Sequence, residues 1–165
     1  MKKKGRVGIY PGTFDPVTYG HIDLIRRALG IFDEVLVAVA SEGSEKSQLF
    51  SVEERLSFLK KAVRSLGSRV RILPFDGLVV KFARKHGAST MIRGVRMISD
   101  FEYEFQMALT NRKLASDIET IFLMPHESYS YLSSRLIKEI SRLGGDIRAF
   151  VPGFVEAALK KRFPR

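Results

Sequence analysis

The run Tyr10-Pro11-Gly12-Thr13-Phe14-Asp15-Pro16-Val17-Thr18-Tyr19-Gly20-His21 carries the residue types of a phosphate-binding turn. Two prolines and two glycines shape a turn rather than a helix extension. Gly12 lets backbone approach a ligand closely, and Thr13 offers a hydroxyl and a backbone N–H. A helix expected to begin near Gly20 or His21 directs its unpaired N–H groups and positive dipole end at the same space. His21, in the first helical turn, can donate a hydrogen bond to a phosphate oxygen without acting as a nucleophile. Taken alone, it reads as a cap of its own helix; the company of Gly12, Thr13 and Gly20 turns the reading toward function. The run is neither a GxxxxGK[ST] loop nor a GxGxxG dinucleotide fingerprint.

Three later segments carry compatible chemistry. In Ile92-Arg93-Gly94-Val95-Arg96, two arginines flank a glycine. Guanidinium groups give fixed, multi-donor recognition of phosphate and stay charged. Beside a triphosphate the pair would offset charge developing on the bridging oxygen; the alternative is ion pairing with Asp100, Glu102 or Glu104. In Tyr129-Ser130-Tyr131-Leu132-Ser133-Ser134-Arg135, serines at a helix start offer hydroxyls and N–H groups to β and γ phosphates, although Ser133 could be a plain N-cap. Lys46 lies in the most loop-like interior stretch, residues 43–48, and by itself reads as a solvated lysine. His86, before Gly87, reads as a helix C-terminal residue, and His126 as a satisfied loop histidine. No cluster of protein ligands suggests a resident metal, so Mg2+ is expected to ride on the phosphates of a nucleotide.

Positioning these segments requires strands and helices in alternation. Apolar runs predict strands over residues 6–11, 34–40, 69–74, 90–93 and 118–124. Residues 34–40, apolar nearly throughout, suit a parallel strand buried on both faces. Helices are expected over residues 21–31, 51–66, 78–86, 100–114, 132–143 and 152–163. Ser51-Val52-Glu53-Glu54 is a capping box, and Gly67, Gly87 and Gly144-Gly145 are stops. The fold class this predicts is α/β: a Rossmann-like, doubly wound, five-stranded parallel sheet with helices on both faces and a C-terminal helical segment. Such sheets bind ligands at the carboxyl ends of their strands, near the point where strand order reverses. Residues 10–21, 41–46, 93–96 and 125–135 all directly follow predicted strands.

The chain's 165 residues suit one domain, residues 1–165. Cys is absent, which excludes disulfides, a thiolate nucleophile and thiolate metal sites. The N-terminal stretch lacks the features of a signal peptide, and no apolar run approaches bilayer-spanning length, so a cytoplasmic protein without membrane partners is expected. The net charge, 28 − 18 = +10, favours anionic partners. A noncatalytic nucleic-acid-binding protein is the alternative of another class; the sequence offers no recognised RNA-binding motif for it, and no nucleic-acid partner is expected.

Gly12-Thr13-Phe14-Asp15-Pro16 followed by Thr18-x-Gly20-His21 resembles the nucleotidyltransferase superfamily with the T/HxGH loop. More narrowly, the chain resembles the bacterial pantetheine-phosphate adenylyltransferase family from about Arg6 to about Ala158. The resemblance implies transfer of the adenylyl group of ATP to 4′-phosphopantetheine, giving dephospho-CoA and pyrophosphate. Adenylyltransferases for nicotinamide mononucleotide and CTP-using cytidylyltransferases are the alternatives within the superfamily. By resemblance the catalytic residues are His21, Thr13, Lys46 and Arg93: His21 stabilises the transition state with Lys46, Arg93 and Arg96 around it, Thr13 serves both substrates, and Lys46, Val79 and Arg93 serve the acceptor. Phe14, Gly94, Val95, Arg96, Glu104 and residues Tyr129, Ser130, Tyr131, Leu132, Ser133, Ser134 and Arg135 serve ATP. Val79 reads equally well as core packing, and Glu104 as a carboxylate at a helix start. Arg135 stands where the family usually carries a third hydroxyl, and could supply a charged phosphate contact or face solvent. The resemblance also implies a homohexamer and feedback by CoA.

Overall fold

Parallel strands form where an apolar run can be covered on both faces, and the run at residues 34–40 does so. A computed structural model describes residues 5–41 and 48–164. Lys46 and the N-terminal lysines Lys2, Lys3 and Lys4 lie outside the described residues. The strands are β1 (Val7–Gly12), β2 (Glu34–Ala40), β3 (Val70–Phe75), β4 (Thr90–Gly94) and β5 (Glu119–Leu123). The helices are α1 (Tyr19–Ala28), α2 (Val52–Ala62), α3 (Val79–Lys85), α4 (Ile98–Leu114), α5 (Ser134–Arg142) and α6 (Gly153–Arg162).

All five strands are parallel, in the order β3-β2-β1-β4-β5. The expected α/β sheet is therefore present, with β1 at its centre and β2 beside it, buried from Val35 to Val39. One face packs Ile25, Leu59, Ile137 and Leu159 from α1, α2, α5 and α6. The other face is a smaller cluster in which Val80 and Ala83 of α3 meet Ile9, Leu36 and Met91.

Strand order reverses between β1 and β4. β1 pairs with β2 over six positions, Val7↔Glu34 to Gly12↔Val39. It pairs with β4 only at Gly8↔Thr90 and Ile9↔Met91. The two strands part beyond those residues, which leaves a crevice at their carboxyl ends. No helix among the described residues is long and apolar enough to cross a membrane.

Several helix ends differ from expectation. Helix α1 starts at Tyr19, because Thr18 is its N-cap and accepts from the His21 backbone N–H. Helix α2 stops at Ala62, and Arg64–Arg69 continue as a 3-10 segment interrupted by Gly67 at φ 71°. Glu127–Tyr129 form a further 3-10 turn that apolar patterning does not announce. Helix α5 starts at Ser134 rather than at residue 132. Leu132 turns into the core, and Ser133, extended at φ −134° and ψ 150°, caps the helix.

Candidate active site

The loop after β1 is shaped by close packing. Phe14 adopts a left-handed backbone at φ 53°, uncommon for a residue with a side chain. Its ring is buried between Tyr10 and His21, with centroids 5.4 and 5.0 Å away and both contacts edge-on. A Cβ on Gly12 would lie 2.9 Å from that ring, so glycine is required there.

Thr18 and His21 then form a reciprocal cap. The Thr18 backbone N–H donates to His21 Nδ1 at 3.1 Å, and the His21 backbone N–H donates to Thr18 Oγ1 at 3.4 Å. The capping alternative for His21 is thus realised at one ring nitrogen, which leaves the proton of the neutral ring on Nε2. Burial, and secondarily the Arg96 charge, lowers the His21 pKa from 6.5 to about 4. At neutral pH the ring is an uncharged donor lining the cavity.

Asp15 anchors the neighbouring chain. Its carboxylate is nearly fully buried and accepts from the backbone N–H groups of Leu49 and Phe50, both at 2.9 Å. Lys138 of α5 adds a third donor at 2.8 Å. Helix α5 is further tied to the loop by the Ser134 hydroxyl, which donates to the Pro16 carbonyl at 2.7 Å. Ser133 Oγ accepts from the Leu136 N–H at 3.0 Å, so its own hydroxyl hydrogen remains a donor.

From β4, Arg93 grips Glu104 bidentately at 2.6 and 2.5 Å and donates to the Pro11 carbonyl at 3.0 Å. Arg96 donates to the Leu132 carbonyl at 2.5 Å and to Asp100 at 3.1 Å. Both arginines therefore make the ion pairs that the sequence left as an alternative, while also lining the cavity. Gly94 passes over α1 so closely that a Cβ would sit 2.5 Å from Leu24 Cδ1.

These parts enclose a cavity of about 340 Å³ at the point of strand reversal. Thr13, Phe14, His21, Arg93, Gly94, Arg96 and Glu104 line it, as do Tyr129, Leu132, Ser133, Ser134 and Arg135. Val95, Ser130 and Tyr131 do not line it. The Val95 N–H donates to the Leu123 carbonyl at 3.1 Å, the Ser130 hydroxyl donates to the Glu127 carbonyl at 2.8 Å, and Tyr131 packs edge-on against Phe150. Val79 packs with the smaller core cluster around α3.

Sequence reasoning left Asp15, Lys138, Gln48 and Arg55 without a role. One signal was available for Lys138: it lies four residues after Ser134 and so shares its face of α5. The two lining carboxylates that pair with cations, Asp15 and Glu104, are engaged by Lys138 and Arg93. No group of His, Cys, Asp or Glu fit to hold a metal ion occurs among the described residues.

A neutral fixed donor, two arginines and two helix N-termini around one cavity suit a nucleotide's phosphates. Residues 9–140 match the family model described as cytidylyltransferase-like. A phosphopantetheine adenylyltransferase of Thermodesulfovibrio yellowstonii is 49% identical over 97% of this chain and 99% of its own length. One from Desulfitobacterium hafniense strain Y51 is 55% identical over 96% of each chain. One from Caldanaerobacter subterraneus subsp. tengcongensis is 51% identical over 97% of this chain and 99% of its own length. A solved structure titled as a putative nicotinate-nucleotide adenylyltransferase from Vibrio parahaemolyticus superposes with a TM-score of 0.67 at 18% identity. It covers 94% of this chain and 99% of that one, and shares the fold. End-to-end identity near one half, on a sheet that opens at the expected place, shows that the chain belongs to the phosphopantetheine adenylyltransferases of the cytidylyltransferase-like family.

Proposed function

We infer that the chain transfers the adenylyl group of ATP to 4′-phosphopantetheine, giving dephospho-CoA and pyrophosphate, in coenzyme A biosynthesis. The observation that carries this reading is the identity of 49 to 55% with relatives of that name over nearly the whole chain. An oxygen of the acceptor phosphate attacks the α-phosphorus of ATP in line. The bond from that phosphorus to the bridging oxygen breaks, and pyrophosphate leaves with the electron pair. The acceptor phosphate is already anionic, so no general base is needed, and the protein contributes positioning and charge stabilisation.

His21 fits the role of a donor to the α-phosphate, since its Nδ1 is occupied and its ring is neutral. Thr13 orients the acceptor and the α-phosphate beside it. Lys46 and Arg93 serve the acceptor, and Glu104 holds the Arg93 fork at the nucleotide's edge. Arg96, Ser133 and Arg135 receive the triphosphate, Arg135 as a charged contact in place of a hydroxyl. Asp15 and Glu104 are taken up by the protein's own cations, so Mg2+ would be held through the phosphates of ATP and would supply neutralisation of their charge.

The chain works in the cytoplasm as one domain, and CoA, which shares the acceptor's arm, feeds back on it. The assembly is a homohexamer. Helix α4 supports a subunit interface, with Ile98 87%, Tyr103 63% and Leu114 51% exposed. The test is incubation with Mg-ATP and a panel of phosphorylated acceptors, following pyrophosphate. Release only with 4′-phosphopantetheine is expected. Release only with another acceptor overturns the substrate and keeps the class.

A further inference from the structure

Arg55, in the first turns of α2, is fully buried and stands among the largest side chains to be so among the described residues. A permanently charged group is rarely sequestered without a carboxylate partner, yet Arg55 forms no salt bridge among the described residues. Its guanidinium and Nε–H instead meet five neutral oxygens. The Nε–H donates to the Phe50 carbonyl at 3.2 Å. Nη1 donates to the carbonyls of Thr13 at 2.7 Å and Ala40 at 2.8 Å. Nη2 donates to the Ser41 carbonyl at 3.3 Å and to Gln48 Oε1 at 2.7 Å. Five donors in a planar fork thus meet five acceptors from three separate stretches of chain.

An apolar side chain would fill the same space without the cost of desolvating a charge. What it could not do is hold the loop after β1, the end of β2 and the start of α2 at fixed separations. Thr13 and Gln48 line the cavity, whereas Arg55 does not. Ser41 and Gln48, which flank residues 42–47, share one nitrogen of the fork. From the other side, Asp15 fixes Leu49 and Phe50. Among the described residues, no hydrogen bond joins Arg55 to the N-termini of α1 and α5 or to β4, the parts that surround the triphosphate in the reading above.

We propose that Arg55 is a positioning residue for adenylyl transfer, acting through Thr13, Ser41 and Gln48. It sets their distance from the nucleotide without touching either substrate. The proposal rests on the functional reading above. Misplacing such groups by an ångström lowers turnover by as much as about 10²-fold, while binding made elsewhere persists.

The experiment measures kcat and both Michaelis constants for Arg55→Lys and Arg55→Met at a temperature where each is fully folded by circular dichroism. The lysine keeps the charge and loses the fork. For Arg55→Lys, kcat is expected to fall at least about tenfold, the acceptor's KM to rise severalfold, and the ATP KM to stay within about twofold. A lower unfolding temperature with parent-like kcat and acceptor KM means that Arg55 only stabilises the fold, and overturns the proposal. If neither variant folds, Gln48→Met, which removes one acceptor and leaves Arg55 in place, is expected to raise the acceptor's KM severalfold. Parent-like constants in that variant then overturn it. The parent chain, assayed alongside, separates the two readings: no 4′-phosphopantetheine-dependent pyrophosphate from the parent overturns the function, while parent-like variants overturn only the role of Arg55.

Discussion

His21 is held at one ring nitrogen so that the other is available, and this division has measurable consequences. The Thr18 backbone N–H occupies Nδ1, which orients the ring and assigns its proton. Replacing His21 with Ala should lower kcat by about 10²–10³-fold, the scale for losing one fixed donor at a developing anion. The same substitution removes half of a capping pair, at a cost of about 1 kcal/mol in urea unfolding. A turnover number equal to the parent's would remove His21 from the reaction. The second consequence concerns pH. The His21 pKa is about 4 when folded, against 6.5 for the free side chain, so the unfolded chain binds the proton first as pH falls. Stability linked to this group is therefore full above about 6.5 and is lost as pH drops toward about 4, by up to about 3 kcal/mol. The ring's chemical shift, followed by NMR, should stay that of neutral imidazole through pH 5.5. A midpoint near 6.5 would contradict the buried, donor-only role.

The elements were legible in the sequence to different degrees, for physical reasons. The buried run of β2 and the capping box at Ser51 are local signals, and both elements stand where those signals put them. The start of α5 lies two residues later than the apolar pattern predicts, because Leu132 reads as part of a helical apolar stripe. It is buried instead as the last residue of an irregular stretch, and Ser133 begins the cap. The β1 loop, β4 and the α5 start announce themselves by glycine, serine and arginine. Their meeting at one cavity follows from the strand order and from the bonds of Ser134 and Lys138 that tie α5 to the β1 loop. Arg55 could not be read in that way, and Lys138 only through its spacing from Ser134: a cation on an amphipathic helix looks solvated until the fold turns it inward. The contact of β4 with α1 gives a test at this scale. Gly94→Ala places a Cβ 2.5 Å from Leu24, which is itself buried. Unfolding in urea should report a loss of about 1–3 kcal/mol, the range for overpacking. A loss under about 0.5 kcal/mol would mean that β4 and α1 yield without resistance.

Across the whole molecule, the sheet is joined unevenly. β1 and β2 share six paired positions, and so do β2 and β3, whereas β1 and β4 share two. The protein is thus two half-sheets sewn by a short seam, and the cavity is the unsewn end of that seam. A nucleotide gripped at once by the β1 loop and by β4 would act as the missing stitches. Breathing of one half-sheet against the other should then fall on loading. Amide hydrogens at Gly12, Arg93 and Gly94 should exchange more slowly with ATP present, on both sides of the gap together. Slowing confined to one side would mean that the nucleotide rests on a single half-sheet and leaves the seam open.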